Sequence, residues 1–349
     1  MIHGADIFKY SNGDIIDFSS NINPLGAPKA LYDMIDENIK NIERYPDVSY
    51  RKLKSDIARF HKLDSSNIAV GSGALELIDN IIAESRFKKI YSFAPSFSEY
   101  KIRAKVHGKS FFEIDLKDDF SIDLDALDKI ELDKYSLLII TNPNNPNGRL
   151  LIDRELDYIL RLRKKLDFTI MLDEAFIEFT DKFYSYGELD GIYIIRAMTK
   201  FYAMPGLRLG YAISTADDIK KIDDNLAPWT ISSLLEEAGE ILFDEVYKTR
   251  TREFIKAERI RMMQLVDDID GLETVKSDAD FFLIKLNEIS EDEIFRELLK
   301  RNILVRTCSS YSNMNGNYIR VAIKSASNND HLIDSLKDIM NNLRKESYE

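Results

Sequence analysis

Residues 192–213 read IYIIRAMTKFYAMPGLRLGYAI and contain two apolar runs that flank a lysine, Lys200. The runs Ile192–Arg196 and Leu209–Ile213 are apolar almost throughout, which is typical of strands covered on both faces of a sheet. Lys200 follows the end of the first run among aromatic and apolar neighbours. Desolvation there disfavours the ammonium form and makes the amine a better nucleophile. A lysine at the surface would fit the same pattern, and Arg208 further along is a candidate anion ligand.

Outward from this stretch, short β-branched or aromatic runs alternate with amphipathic stretches. This alternation predicts an α/β fold with a mainly parallel sheet. The clearest helices between the strands are predicted over Tyr50–His61 and Asp153–Lys165, where apolar residues recur at helical spacing. The predicted strands of the sheet are Ile68–Val70, Lys89–Phe93, Leu137–Thr141, Thr169–Leu172, Ile192–Arg196 and Leu209–Ile213.

The pattern changes after about Leu242. A long charged stretch, Glu245 to Asp268, predicts a helix, and short predicted strands follow it. These strands are Phe281–Leu286, Ile303–Arg306 and Tyr318–Ala322. We therefore predict an N-terminal arm over 1–40 that packs with the small domain, a large domain over 41–244 and a small α+β domain over 245–349.

Composition and charge narrow the classes of function. The 349 residues exceed a typical single domain and fit a large domain plus a smaller one. The net charge of −12 leaves no basic surplus for nucleic-acid phosphates, although a few arginines can still dominate a closed pocket for a small anion. The N-terminus lacks the apolar core of a signal peptide, and no apolar run approaches the roughly 18 residues of a membrane helix. The single cysteine, Cys308, excludes an internal disulfide and fits a reducing cytoplasm.

Three further segments place polar groups after predicted strands. Asp173 follows the apolar run TIML, at the kind of strand end where α/β sheets bind ligands, although an aspartate that caps a loop would look the same. The segment TNPNNPNG at 141–148 predicts a tight irregular loop. Asn145 in this loop can donate and accept hydrogen bonds beside a ligand, unless the loop is an ordinary turn. The segment VGSGALELI at 70–78 places small residues before a helix that begins near Ala74, which is a ready anion site.

Other common sites are excluded by spacing. Glu76 stands where the third glycine of a dinucleotide-binding fingerprint would lie, and no phosphate-binding loop of the G-x-x-x-x-G-K-[ST] type occurs. The histidines lack the spacing of metal ligands, so we predict no metal site. They are His3, His61, His107 and His331.

Taken in order, these features resemble the fold-type I pyridoxal-phosphate enzymes. The similarity spans residues 3–323 and is greatest to the threonine-phosphate decarboxylases of cobalamin biosynthesis, with histidinol-phosphate aminotransferases next. It is carried by stretches such as DFSSNINPLG, RYPDVSYRKL, APSFSEY, LDEAFIEF, TKFYAMPGLRLGYAI and ILVRTCSSYSNMNGNYIRVAI. The resemblance implies pyridoxal 5'-phosphate as cofactor, a mainly parallel, seven-stranded type of sheet flanked by helices, and a cytoplasmic homodimer with shared active sites.

The resemblance also implies roles for individual residues. Lys200 would bond covalently to the cofactor, and Asp173 would pair with the pyridine nitrogen so that the ring withdraws electrons. Asn145 would bond the phenolate oxygen, and Phe97 would stack on the ring. The remaining candidates are Gly73, Ala74, Thr199 and Arg208 for the cofactor phosphate, Tyr45 for the phosphate of the neighbouring subunit, and Arg306, Arg320, Asn21 and His3 for the anionic groups of the substrate. For Arg306 and Arg320, the alternative role is a salt bridge within the small domain.

Two positions depart from the pattern. Phe176 stands where the aminotransferase branch usually has a tyrosine that donates to the phenolate oxygen, which favours the decarboxylase branch. Ala197 stands where a serine or threonine usually bonds the cofactor phosphate. A lost hydrogen bond to a charged group costs roughly 1.5–3 kcal/mol, so we expect weaker cofactor binding unless Thr199 or another group compensates.

The implied reaction is loss of CO₂ from a phosphorylated amino acid, L-threonine O-phosphate by resemblance. Two alternatives stay open. An aminotransferase of the histidinol-phosphate type would require a keto acid such as 2-oxoglutarate. A protein that binds the cofactor without turnover is supported only by Ala197. One methyl group separates serine phosphate from threonine phosphate and is worth only about 1–3 kcal/mol in a pocket, so the sequence leaves that choice open.

Overall fold

The computed structural model describes residues 4–10, 15–182, 189–314 and 317–346. Among these residues, none of the helices is both long enough and apolar enough to cross a membrane. The first half of the chain forms β1 (Ile16–Asp17), α1 (Lys29–Asn38), α2 (Arg51–His61), β2 (Ile68–Ser72), α3 (Ala74–Ala83), β3 (Lys89–Ala94), α4 (Glu99–Val106), β4 (Ser110–Asp115), α5 (Leu124–Leu127), β5 (Ser136–Thr141), α6 (Asp153–Leu166) and β6 (Thr169–Asp173). The second half forms β7 (Ile192–Ala197), α7 (Met198–Phe201), β8 (Leu209–Ile213), α8 (Ala216–Asn225), α9 (Glu245–Asp267), β9 (Leu272–Val275), β10 (Phe281–Leu286), α10 (Glu291–Leu299), β11 (Ile303–Leu304), β12 (Arg306–Thr307), β13 (Tyr318–Ala322) and α11 (Ala326–Glu346). Short 3-10 helices occupy Ile7–Lys9, Ile39–Glu43, Ser65–Asn67, Ile177–Phe179, Pro205–Leu207, Ser233–Leu235 and Ala238–Phe243.

The large sheet has seven strands in the order β2-β8-β7-β6-β5-β3-β4. Strand β8 runs antiparallel to both of its neighbours, and all other pairs are parallel. The predicted α/β fold with a mainly parallel sheet is therefore confirmed.

Two apolar cores cover the two faces of this sheet, because successive side chains of a strand point to opposite sides. In β6, Ile170 and Leu172 enter one core and Met171 enters the other. In β7, Ile194 and Ile195 divide in the same way. This double burial explains why the sequence of these strands is apolar throughout rather than alternating.

The C-terminal part forms an antiparallel sheet in the order β12-β13-β10-β9. Strand β1 of the N-terminal arm pairs in parallel with β11, with Ile16 opposite Ile303. Beyond this pair, the Phe18 carbonyl accepts a hydrogen bond from the Ala322 amide at 2.9 Å. These contacts join the arm to strands of the C-terminal part, while the division into an arm and two domains with boundaries at 40 and 244 stays a prediction.

One predicted strand is wrong as drawn. Ile303–Arg306 is not continuous: Ile303–Leu304 pairs with β1, and Arg306–Thr307 pairs with β13. The chain changes its strand partner at Val305, so residues of one apolar run pair in two different sheets. Two edge strands, β4 and β9, had no strand signal in the sequence, because most side chains of β4 are exposed and only one residue of the short β9 is buried.

Candidate active site

The strand ends of the large sheet meet at one edge. Thr141 at the end of β5 pairs with Asp173 at the end of β6, and Ala197 at the end of β7 pairs with Gly210 of β8. A cavity of about 400 Å³ lies at this edge. Ten of the candidates line it: Asn21, Ala74, Phe97, Asn145, Asp173, Thr199, Lys200, Arg208, Arg306 and Arg320.

Lys200 lies in α7, one turn beyond the end of β7. The pKa of its amine is lowered to about 8, mainly by burial; the charge of Asp280 opposes this fall, and the charges of Arg320, Arg208 and Lys324 add to it. A pKa near 8 leaves about a tenth of the amine unprotonated at pH 7, far more than for an ordinary lysine. This low pKa and the position of Lys200 in the cavity wall do not fit a lysine on the open surface, and its catalytic role stays a prediction.

Asp173 is buried at the end of β6 and presents its carboxylate to the cavity. Tyr100 donates to Oδ2 at 2.5 Å, and the Ala175 amide donates to Oδ1 at 3.1 Å. Burial raises the pKa of this carboxyl group, while these two donors and the charge of Lys200 act against the rise. The neighbouring Glu174 is different, since it forms an ion pair with Arg196 at 2.7 Å and does not line the cavity.

Asn145 is oriented by two donors to its side-chain oxygen. Arg320 Nη1 lies 2.5 Å from Oδ1, and the Tyr311 hydroxyl lies 3.2 Å from it. Because the oxygen is occupied, the amide NH₂ is left to donate to a ligand in the cavity. Tyr311 lines the cavity and was missed by sequence reasoning, because nothing in its local sequence marks it.

The start of α3 and Arg208 form an anion-binding corner. Gly73 precedes the helix with φ of +81°, and a Cβ added there would lie 2.4 Å from Arg208 Nη2. A Cβ added at Gly210 would lie 2.5 Å from the Ala74 nitrogen. Both glycines are needed for this close approach, which brings a guanidinium to the free N–H groups of a helix start.

Two arginines of the small sheet complete the cavity. Arg306 donates to the Thr307 carbonyl and to the Ser310 hydroxyl, each at 2.7 Å. Arg320 donates to the Ser19 carbonyl at 2.7 Å, and it forms no ion pair with any residue in the described ranges. The expected alternative of a salt bridge within the small domain therefore does not apply to Arg320.

The remaining candidates differ in their position relative to the cavity. Tyr45 is 76% exposed and packs against Trp229 with 4.9 Å between ring centroids, outside the cavity. His3 lies outside the described residues. Asn21 is buried in the cavity wall, and its Oδ1 accepts no hydrogen bond from the described part of the chain. Thr199 lines the cavity as Ala197 does, so a hydroxyl is available beside the alanine that departs from the pattern.

The comparison with known proteins agrees with this geometry. The family model of aminotransferase class I and II matches residues 13–336. The chain belongs to the aminotransferase class I and II family. Enzymes of this family depend on pyridoxal phosphate, so the expected fold type, enzyme class and cofactor are confirmed.

Several members of the aminotransferase class I and II family are similar over nearly the whole chain. A "Putative threonine-phosphate decarboxylase" of Caldanaerobacter subterraneus is 37% identical over 97% of this chain and 93% of its own length. The threonine-phosphate decarboxylase of Salmonella typhimurium is 32% identical over 96% of this chain and 94% of its own. Among solved structures, the histidinol-phosphate aminotransferase from Clostridium acetobutylicum is 39% identical with a TM-score of 0.87, covering 93% of this chain and 99% of that one.

Proposed function

We propose that this enzyme decarboxylates L-threonine O-phosphate to (R)-1-amino-2-propanol O-phosphate in cobalamin biosynthesis. The observation that carries the proposal is the pairing of Arg306 with Arg320. They lie directly opposite each other on β12 and β13, so their side chains leave the sheet on the same face, and both line the cavity. Two adjacent buried guanidinium groups suit a substrate with two anionic groups, a carboxylate and a phosphate.

The cavity also suits the cofactor. Lys200 would supply the amine for the covalent bond, Asp173 the anion for the pyridine nitrogen, and Asn145 the donor for the phenolate oxygen, and all three line the cavity. The corner built by Gly73 and Arg208 suits the phosphate, because a side chain at Gly73 would fill it. The volume of about 400 Å³ lies within the usual range for ligand pockets, roughly 300–1,000 Å³.

The chain's own residues determine which bond of the substrate breaks. When bound, the cofactor supplies an electron-withdrawing ring that stabilises the negative charge left on the substrate Cα. Arg320 is held by Asn145 and by the Ser19 carbonyl, so it can fix the carboxylate in one orientation relative to the ring. The orientation that the arginines give to the carboxylate would therefore decide whether CO₂ or the Cα proton is lost. Lys200, with a pKa of about 8, can then hold a proton and return it to Cα as a general acid.

Transamination of a phosphorylated amine is the second candidate. It is favoured by the 39% identity to a histidinol-phosphate aminotransferase of known structure. Phe176 argues against it, because this side chain lines the cavity, packs on Phe281 at 5.0 Å between ring centroids, and cannot donate a hydrogen bond.

The two reactions differ in their co-substrate. Purified holoenzyme is incubated with threonine phosphate or serine phosphate, with and without 2-oxoglutarate, and CO₂ and the amine product are quantified. Release of CO₂ without a keto acid, abolished by Lys200→Ala, is the expected result. A strict requirement for 2-oxoglutarate would identify an aminotransferase, and a colourless protein unaffected by Lys200→Ala would refute the cofactor itself.

We further propose that a second copy of the chain covers the surface around Tyr45. Tyr45 is 76% exposed and packs on Trp229, which is 48% exposed, and Ile42, three residues before Tyr45, is 63% exposed. Exposed apolar patches mark interaction surfaces. In a homodimer Tyr45 would then contribute to the cavity of the partner, as the family resemblance implies.

Light scattering coupled to size-exclusion chromatography tests this surface. Ile42→Glu is expected to give a monomer with weaker cofactor binding, since a charge would be buried in the interface. Val106→Glu is the matched control, because Val106 is 62% exposed at the end of α4. A dimer that survives Ile42→Glu would contradict the proposed interface.

A further inference from the structure

A buried hydroxyl group lies behind Asp173. Tyr100, the second residue of α4, has no exposed surface. Its hydroxyl lies 2.5 Å from Asp173 Oδ2 and 2.9 Å from Thr141 Oγ1. Tyr100 does not line the cavity, so its effect on a ligand must act through the residues that it contacts.

The direction of these hydrogen bonds follows from the number of protons. Tyrosine has one hydroxyl proton, and Tyr100 donates it to Asp173. Thr141 must therefore donate its own proton to the Tyr100 oxygen. Burial and the nearby Asp173 charge raise the pKa of Tyr100 well above its usual value, so its proton stays in place. All donors in the chain Thr141, Tyr100, Asp173 point toward the carboxylate.

This direction matters because Asp173 is buried. Burial alone favours the neutral carboxylic acid, whereas donors to the carboxylate favour the anion. The Ala175 amide occupies Oδ1, so Tyr100 is the donor at Oδ2. Without Tyr100, a proton shared between Asp173 and a ring nitrogen would move toward the aspartate.

Tyr100 also supports the residue expected to stack on the ring. Its aromatic ring packs edge-on against Phe97, with centroids 5.5 Å apart and an interplanar angle of 87°. Phe97 lines the cavity. One side chain therefore contacts both Asp173 and Phe97.

We propose that Tyr100 is a positioning residue that keeps Asp173 ionised and aimed at the pyridine nitrogen of the cofactor, with Thr141 orienting its hydroxyl. This role rests on one part of the proposed function, the binding of the cofactor. It holds for a decarboxylase and for an aminotransferase alike. It therefore calls for measurements on the cofactor-loaded protein without substrate.

The test compares Tyr100→Phe with Tyr193→Phe. Both remove the hydroxyl of a buried tyrosine, but the Tyr193 hydroxyl bonds Glu84 at 3.0 Å and Arg86 at 2.8 Å, away from the cavity. Cofactor affinity is measured by equilibrium dialysis, and the visible absorbance of the bound cofactor is titrated with pH. In Tyr100→Phe we expect the Kd to rise about tenfold or more, because a hydrogen bond to a charged group is lost. We also expect the pH midpoint to rise, because a less electron-withdrawing ring makes the Lys200 nitrogen more basic.

A second pair of variants covers the case in which Tyr100→Phe does not fold. Thr141→Ser keeps a hydroxyl donor and should behave as wild type, whereas Thr141→Val removes it and should shift the midpoint in the same direction. A wild-type Kd and midpoint in Tyr100→Phe, or equal behaviour of the two Thr141 variants, would overturn the role of Tyr100. A wild-type protein that binds no cofactor would instead refute the proposed function.

Discussion

Replacement of Asp280 by asparagine should change how stability depends on pH. Asp280 lies just before β10 with no exposed surface, and neither carboxylate oxygen has a hydrogen-bond partner in the described part of the chain. Burial raises its pKa from the ordinary 3.8 to about 6, although the charges of Lys324, Lys200 and Arg320 act in the opposite direction. As pH rises from 3.8 to about 6, the unfolded chain loses this proton first, so the folded state loses stability. Above pH 6, the raised pKa of Asp280 lowers the free energy of unfolding by about 3 kcal/mol in total.

Urea denaturation of the cofactor-free protein measures this cost. Between pH 4.5 and pH 7.5, the free energy of unfolding of Asp280→Asn should rise relative to wild type by about 2 kcal/mol, because the amide has no proton to lose. Asp157→Asn, which removes a charge from an exposed position of α6, should show no such change. A difference between Asp280→Asn and wild type that does not vary with pH would show that Asp280 titrates normally and would refute the reasoning.

Three further outcomes follow from the cavity. Lys200→Met should abolish the visible band of the bound cofactor. It should also stabilise the cofactor-free protein by up to about 3 kcal/mol at pH 7, because the lowered pKa of about 8 means that the folded state disfavours the Lys200 ammonium below that pH. Urea titrations should show that this gain in stability disappears toward pH 10. Arg320→Lys should lower kcat/KM about 100-fold or more, since an ammonium cannot reproduce the planar group that bonds both Asn145 and the Ser19 carbonyl; a loss under tenfold in steady-state assays would contradict this. Gly73→Ala should weaken cofactor binding in dialysis without loss of folding by circular dichroism, because its Cβ would displace Arg208.

The sequence predicted the central strands well for a simple reason. Strands such as Leu137–Thr141 and Ile192–Arg196 are buried on both faces, so a continuous apolar run identifies them. The edge strand Ser110–Asp115 has mostly exposed side chains and no such run. The change of strand partner at Val305 could not be predicted either, because tertiary structure and not local composition determines which strands pair.

The residues of the candidate site also differ in whether the local sequence predicts them. Lys200, Asp173 and Asn145 were predictable because each follows an apolar strand, and the ends of neighbouring parallel strands meet at one edge. Tyr100 and Tyr311 were not, because they act on residues 73 and 166 positions away in the chain. No local pattern distinguishes them from tyrosines that only pack.

The cofactor and the bond to be broken depend on different sheets of the molecule. Lys200, Asp173 and Asn145 follow strands of the large sheet, whereas Arg306 and Arg320 lie on the small one. The orientation of a bound substrate therefore depends on how the two sheets are held together.

Hydrogen bonds of Asp278 connect the two sheets beside the cavity. The Asp278 amide donates to the Gly148 carbonyl at 2.8 Å, and the Asp278 carboxylate accepts from the Leu150 amide at 3.1 Å. These bonds tie the loop that carries Asn145 to the segment that leads into β10, and Arg320 closes the link by its bond to Asn145. We therefore expect a change in this connection to reorient Arg320 without moving Lys200, because Lys200 follows a strand of the large sheet.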